Sequence, residues 1–168
     1  MKKLISGLII ATVTVFVLGL AAILILAKPQ APVEPGNISF QIYYYNPDLD
    51  KDESGNILCG SGGLVGVWRE APAGSELVAA AVSALLDFPP RPEELAAGLT
   101  SEYPLSGLQV LSLSLKEGGL TLELADPENR TSGGACRAGI LRAQLEATLS
   151  QFPGVNAVVI EPEYLFQP

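Results

Sequence analysis

Apolar residues follow three different patterns along this chain, and each pattern predicts a different kind of element. From Leu4 to Ala27 the run carries no charge and is dominated by Leu, Ile, Val and Ala. Such a run predicts a helix: roughly two dozen residues at about 1.5 Å each give about 36 Å, enough to cross a ~30 Å hydrocarbon core. From Ile38 to Tyr45 the period falls to two, with Ile38, Phe40, Ile42 and Tyr44 pointing one way and Ser39, Gln41, Tyr43 and Tyr45 the other. That is the alternation of a half-buried strand.

A short strand is expected near Leu64–Arg69, with burial the expected fate of Trp68. The Ala-rich segment from Glu76 to about Asp87 reads as a helix with Ser75 as its N-cap, stopped by Pro89-Pro90. Pro92-Glu93-Glu94 reads as a short helix start, with proline in the first turn and acids at the positive end of the dipole. Leu111, Leu113 and Leu115 then alternate against Leu120, Leu122 and Leu124 across Lys116-Glu117-Gly118-Gly119, which predicts a hairpin.

A second long helix is expected from about Gly134 to Gln151, with Ala138, Leu141, Leu145, Leu149 and Phe152 as its apolar stripe. Val155–Ile160 is apolar on both faces, as a central strand would be. The order β-β-α-β-β-α-β predicts an α+β domain, with a mixed or antiparallel sheet and both helices on one face. The chain divides into an N-terminal segment 1–28, a Pro-rich linker 29–37, stiff and extended, and a domain over 38–168.

Lys2 and Lys3 flank the start of the apolar run and place that end in the cytoplasm, although Lys28 on the far side makes the contrast modest. The expected topology is single-pass, in the cytoplasmic membrane, with the C-terminal domain outside. A cleaved secretory signal is the alternative. Its apolar region normally runs about 7–15 residues, shorter than this one. Both readings export the domain.

Charge narrows the partners. Ten basic residues, less Lys2, Lys3 and Lys28, leave seven against eighteen acids, a net of −11 beyond the anchor. Nucleic acid and anionic lipid head groups repel such a surface. Histidine is absent, which removes the usual general base and the commonest zinc ligand and argues against catalysis.

Cys59 and Cys136 form an even pair in an exported domain, which reads as a disulfide. Closing a loop of that length stabilises by about 4–5 kcal/mol in the chain-entropy account. A reactive Cys136 thiol at the helix start, beside Arg137, is the sharper alternative.

Two loops carry candidate binding chemistry. Asp48, Asp50 and Asp52 are spaced by two, so that alternate carboxylates could converge on Ca²⁺, which takes oxygen ligands. The EF-hand pattern is incomplete, with Gly55 at position eight and Cys59 at position twelve, and a solvated loop is the plainer reading. Thr131-Ser132-Gly133-Gly134 brings a Gly-rich turn onto a helix start, a geometry that can hold an anion. It lacks the P-loop lysine, and Thr131 or Ser132 as a helix cap is the plainer expectation.

Gly98-Leu99-Thr100-Ser101-Glu102-Tyr103-Pro104, the Leu111–Leu115 and Gly118–Leu122 hairpin, Gly133-Gly134-Ala135-Cys136-Arg137, Arg142–Leu149 and Gln151-Phe152-Pro153-Gly154-Val155 form an ordered set. Together they resemble the GerMN domain of sporulation and germination proteins, and related domains of LpqB-type envelope lipoproteins. The resemblance spans roughly Ile38 to Glu161. It implies a bacterial surface domain, tethered by an anchor or lipid, that assembles with other envelope proteins and has no catalytic residues to carry over. Two departures are visible: no lipobox cysteine, and one copy of the domain rather than a tandem pair.

Three readings follow: a non-catalytic assembly module, a Ca²⁺- or anion-binding module, and a carboxylate-based enzyme with acids flanking a cleft.

Overall fold

The computed structural model describes residues 36–167. The expected anchor (1–28) and linker residues 29–35 lie outside the described residues. Among the described residues no helix is long and apolar enough to cross a membrane.

Strand β1 (Asn37–Tyr45) pairs antiparallel with β2 (Leu64–Pro72), in an unbroken register from Asn37 opposite Pro72 to Tyr45 opposite Leu64. Asn37, the last residue of the expected linker, is therefore already strand. The period-two reading of β1 holds, since Phe40, Ile42 and Tyr44 are buried. Tyr45 is also buried, against the loop that follows it. Trp68 is not: it is 65% exposed on β2. The expectation of burial was wrong because Trp68 lies opposite Gln41, on the face of the ladder away from Phe40 and Ile42.

Helix α1 spans Leu77–Leu86. Its N-cap position is Glu76, with no side-chain cap, while the Ser75 N–H is used in a turn onto the Pro72 carbonyl at 3.1 Å. The expected Ser75 cap is therefore corrected. Helix α2 (Pro92–Ala96) has five residues, too few to persist alone, and is held from outside by Arg69.

Strands β3 (Gln109–Lys116) and β4 (Gly119–Ala125) form the expected hairpin, with Leu113 opposite Leu122 and Leu115 opposite Leu120. An irregularity between Val110 and Ser112 displaces Leu111, which is 56% exposed. Helix α3 spans Ala135–Ser150, and β5 (Ala157–Glu161) pairs parallel to β4.

Two expectations about the sheet are corrected. The strands form two sheets, β1-β2 and β3-β4-β5, rather than one, and β5 lies at an edge while β4 is central. Val159 of β5 is accordingly exposed, although Ile160 is buried. The cause of the division lies on α3. Gln144, Thr148 and Gln151 recur at helical spacing and meet the outer edge of β1, where a further strand would otherwise add. The Gln144 Nε2 donates to the Tyr43 carbonyl at 3.1 Å and the Tyr43 N–H donates to the Thr148 hydroxyl at 3.1 Å. Gln151 accepts the Gln41 N–H at 2.8 Å and donates to the Gln41 carbonyl at 2.5 Å. A helix thus satisfies groups that an edge strand leaves open. It runs along the edge of β1 and, with α1, packs into the core over Phe40, Ile42 and Tyr44.

Between the sheets and helices sits one core. It joins Phe40, Ile42 and Tyr44 to Ala81, Val82 and Leu85 of α1, Leu141, Leu145 and Leu149 of α3, and Leu120, Leu122 and Leu124 of β4. The apolar stripe expected of α3 is therefore its buried face.

Candidate functional site

The acidic loop between β1 and β2 is the most elaborately bonded irregular segment. Asn46 starts it by accepting the Asp48 N–H on its side chain at 2.9 Å, which begins the 3-10 turn Pro47–Leu49. The Lys51–Ile57 bridge, with the Asp52 N–H on the Asn56 carbonyl and the Leu58 N–H on the Asp50 carbonyl, folds the centre of the loop into a small hairpin. Gly63 closes it: a Cβ there would stand 2.5 Å from the Tyr45 ring and 2.8 Å from the Asn46 carbonyl.

This geometry separates the three aspartates that the spacing placed together. Asp48 takes Lys51 at 2.6 Å. Asp50 turns inward, only 4% exposed, and accepts the Tyr45 hydroxyl and the Gly60 N–H on one oxygen, both at 2.7 Å. Burial and that hydrogen bond push the Tyr45 hydroxyl up to about 12. Asp52 gathers the Asn56 side chain and the N–H groups of Asn56 and Ser54, and the Asn56 amide foremost holds its carboxyl below the usual range. Among the described residues no group of three or more acidic or cysteine side chains is arranged to hold a metal.

The two cysteines are brought together. Cys59, in the left-handed region at φ 59°, is disulfide-bonded to Cys136 in the first turn of α3, with Cα atoms 5.1 Å apart. Left-handed backbone costs a non-glycine residue roughly 1–2 kcal/mol. The loop is therefore held to the body by the covalent bond and by Asp50.

The Gly-rich turn before α3 is filled from within. Asp126 accepts the Arg130 and Thr131 N–H groups at 2.9 and 2.8 Å. Burial opposes ionisation of Asp126, but those two bonds outweigh it and lower its pKa. Arg137 reaches back to the Arg130 carbonyl at 2.8 Å, to the Ser132 carbonyl, and to Glu102 at 2.5 Å. Gly134 occupies the N-cap position without a side-chain cap, so neither Thr131 nor Ser132 caps the helix as expected. The loop N–H groups of Arg130 and Thr131 are thus directed at Asp126, and the Arg137 guanidinium is engaged by two carbonyls and Glu102.

Among the open grooves of the described residues, two bear on the candidate chemistry. One of about 830 Å³ runs along the outer face of β4 and β5 to Tyr164, past Leu111 and Val159. Glu123 and Glu161 are neighbours in the β4–β5 register within it, side by side on one strand pair. Glycoside chemistry needs carboxyls that flank a bond across a cleft. The other groove, about 650 Å³, lies between α1 and β2, over Phe40 and Ala84, with Phe88 and Arg91 at its side.

Sequence reasoning missed the exposure of Leu49, Ile57 and Leu58, at 61%, 48% and 61%, on the acidic loop. A signal was present: three aliphatic residues within a segment too rich in aspartate and glycine to form a buried strand.

Residues 41–163 match the profile of a family described as Germane: Sporulation and spore germination. Among solved structures, the chain is similar to the tandem GerMN domains of the sporulation protein GerM from Bacillus subtilis, at 16% identity and a TM-score of 0.50. That match covers 82% of this chain and 43% of the other, so the chain spans less than half the length of the GerM structure. A putative lipoprotein from Clostridium perfringens matches at 16% identity and a TM-score of 0.37, covering 79% of this chain and 81% of the other. No curated protein matches the chain.

Proposed function

We propose, since the chain belongs to the Germane family of sporulation and spore germination, that it is a membrane-anchored, non-catalytic domain that acts by assembling with other proteins of the cell envelope. The apolar run Leu4–Ala27 would hold it in the cytoplasmic membrane, with the described domain outside.

The observation that carries this reading is the distribution of apolar surface. Large side chains such as Leu58, Trp68, Phe88, Leu111 and Tyr164 are each more than half exposed, while the polar groups of both loops are bonded to one another. Contiguous exposed apolar area is covered in protein assemblies, and Leu111 and Tyr164 line one groove. The domain also lacks histidine, and its cysteines are tied in a disulfide, which leaves no ordinary nucleophile–base pair.

The test is chemical cross-linking of the full-length chain in intact cells, followed by purification and mass identification. Discrete adducts with other envelope proteins are expected. Recovery of the chain alone, across growth and sporulation-inducing conditions, would overturn the reading.

A further inference from the structure

The acidic loop combines three properties that occur together nowhere else among the described residues. It displays Leu49, Ile57 and Leu58 to solvent. Its exposed acids are Asp48, Asp52 and Glu53, with Lys51 its one basic residue. Its shape is fixed by the hairpin bonds, the buried Asp50 and the disulfide to α3.

These properties bear on what the loop can meet. Three exposed aliphatic side chains on one loop, Leu49 in its 3-10 turn and Ile57 and Leu58 at the end of its small hairpin, gain nothing from water, and their burial in a complex is favourable by area. A surface that is bonded into shape loses little conformational freedom on binding. The charge selects the occupant. Anionic head groups would repel the acids beside the leucines, so lipid is the wrong surface. A second copy would present the same net negative charge. The complement is an apolar pocket bordered by lysine or arginine.

We propose that the disulfide-tethered loop from Pro47 to Cys59 is the docking surface of this domain for a partner protein, received in an apolar pocket with a basic border. The proposal rests on the assembly reading and names the surface and partner chemistry it would use. Asp50 and the disulfide are then positioning elements, and Leu49, Ile57 and Leu58 the contacts.

The test places a photo-reactive residue in the full-length chain at Leu58, and separately at the exposed Leu115 of the β3–β4 hairpin and at Tyr164. A discrete protein adduct is expected from Leu58 and not from Leu115. It is expected to fall at least about tenfold when Asp48→Lys and Glu53→Lys reverse two exposed charges, because like charges would then face each other across the border. Both substitutions leave Asp50, Asp52 and the disulfide in place, and a melting temperature within a few degrees of the parent checks that the loop is intact. An adduct to lipid, or one indifferent to the charge reversal, would overturn the proposal. Adducts from Tyr164 or Leu115 with none from Leu58 would overturn it and leave the assembly reading standing. No protein adduct from any of the three positions would overturn the proposal, and the assembly reading falls with it only if whole-chain cross-linking also recovers the chain alone.

Discussion

Gln144 reaches from α3 to the Tyr43 carbonyl of β1, 101 residues earlier in the chain, at 3.1 Å, and is itself fully buried. The bond closes one side of the β1–β2 ladder and ties the two halves of the domain together. Replacing it by Gln144→Leu keeps the approximate volume but leaves a buried carbonyl without its donor, which costs about 1–3 kcal/mol. Urea unfolding should show that loss as a lower midpoint at an unchanged slope. An unaltered midpoint would mean that this one bond contributes nothing beside those of Thr148 and Gln151.

Arg69 and Glu94 make the corresponding link for α2. Two parallel bonds of 2.7 and 2.8 Å join them, and the Tyr44 ring lies 5.7 Å from the guanidinium. Burial raises the Glu94 pKa, but Arg69 and the Arg91 N–H outweigh it, so the net shift is downward. A depressed carboxyl stabilises the fold above the ordinary carboxylate pKa and loses that contribution as pH falls through its folded value. Glu94→Gln should therefore cost about 1–3 kcal/mol at neutral pH. It should also flatten the acid limb of stability against pH. Parallel acid limbs in parent and variant would contradict this assignment.

Tyr45 gives the opposite limb. Its hydroxyl is raised to about 12 and donates to Asp50 at 2.7 Å. The folded state therefore keeps this proton longer than the unfolded chain does. The contribution is complete below the unfolded tyrosine value, near 10, and fades as pH rises through the folded one. Tyr45→Phe should abolish that part of the alkaline loss, read by thermal melts across the alkaline range.

Reduction tests the covalent tether. Opening Cys59–Cys136, separated by 77 residues, should lower stability by up to about 4–5 kcal/mol in the chain-entropy account. Denaturant curves of the reduced parent and of the Cys59→Ser plus Cys136→Ser variant should agree with each other and fall below that of the oxidised parent. A reduced protein as stable as the oxidised one would show that strain at Cys59 cancels the gain.

Trp68 is the chain's single tryptophan, so its fluorescence reports one place. At 65% exposure it should emit at long wavelength in the native state, quench readily with acrylamide, and change little on unfolding. Trp68→Ala should alter stability by no more than about 0.5 kcal/mol. A blue, protected emission would place the indole in a contact.

Periodicity made most of the elements legible. The alternation of Phe40, Ile42 and Tyr44 and the stripe Ala138, Leu141, Leu145 and Leu149 each identify a buried face, because burial imposes the period of the backbone on the sequence. The helical spacing of Gln144, Thr148 and Gln151 was equally visible. Its meaning was not, since nothing local says that a polar stripe will face a strand edge rather than water. Trp68 failed for a related reason: residue type suggested burial, and only the register against Gln41 fixed the face. The cysteine pairing was readable from the even count together with the expectation of an exported domain. The direction of each aspartate was not readable from spacing, because side-chain direction in a loop follows its turns: Asp50 is turned inward by partners at Tyr45 and Gly60.

The Cys59–Cys136 bond also closes a covalent ring around β2, α1, α2, β3 and β4. A protease that cuts one exposed turn within that ring, at Glu117-Gly118 for example, converts one chain into two polypeptides without releasing either. The clipped domain would keep both its ends attached to the same body and would separate into fragments only under reducing conditions.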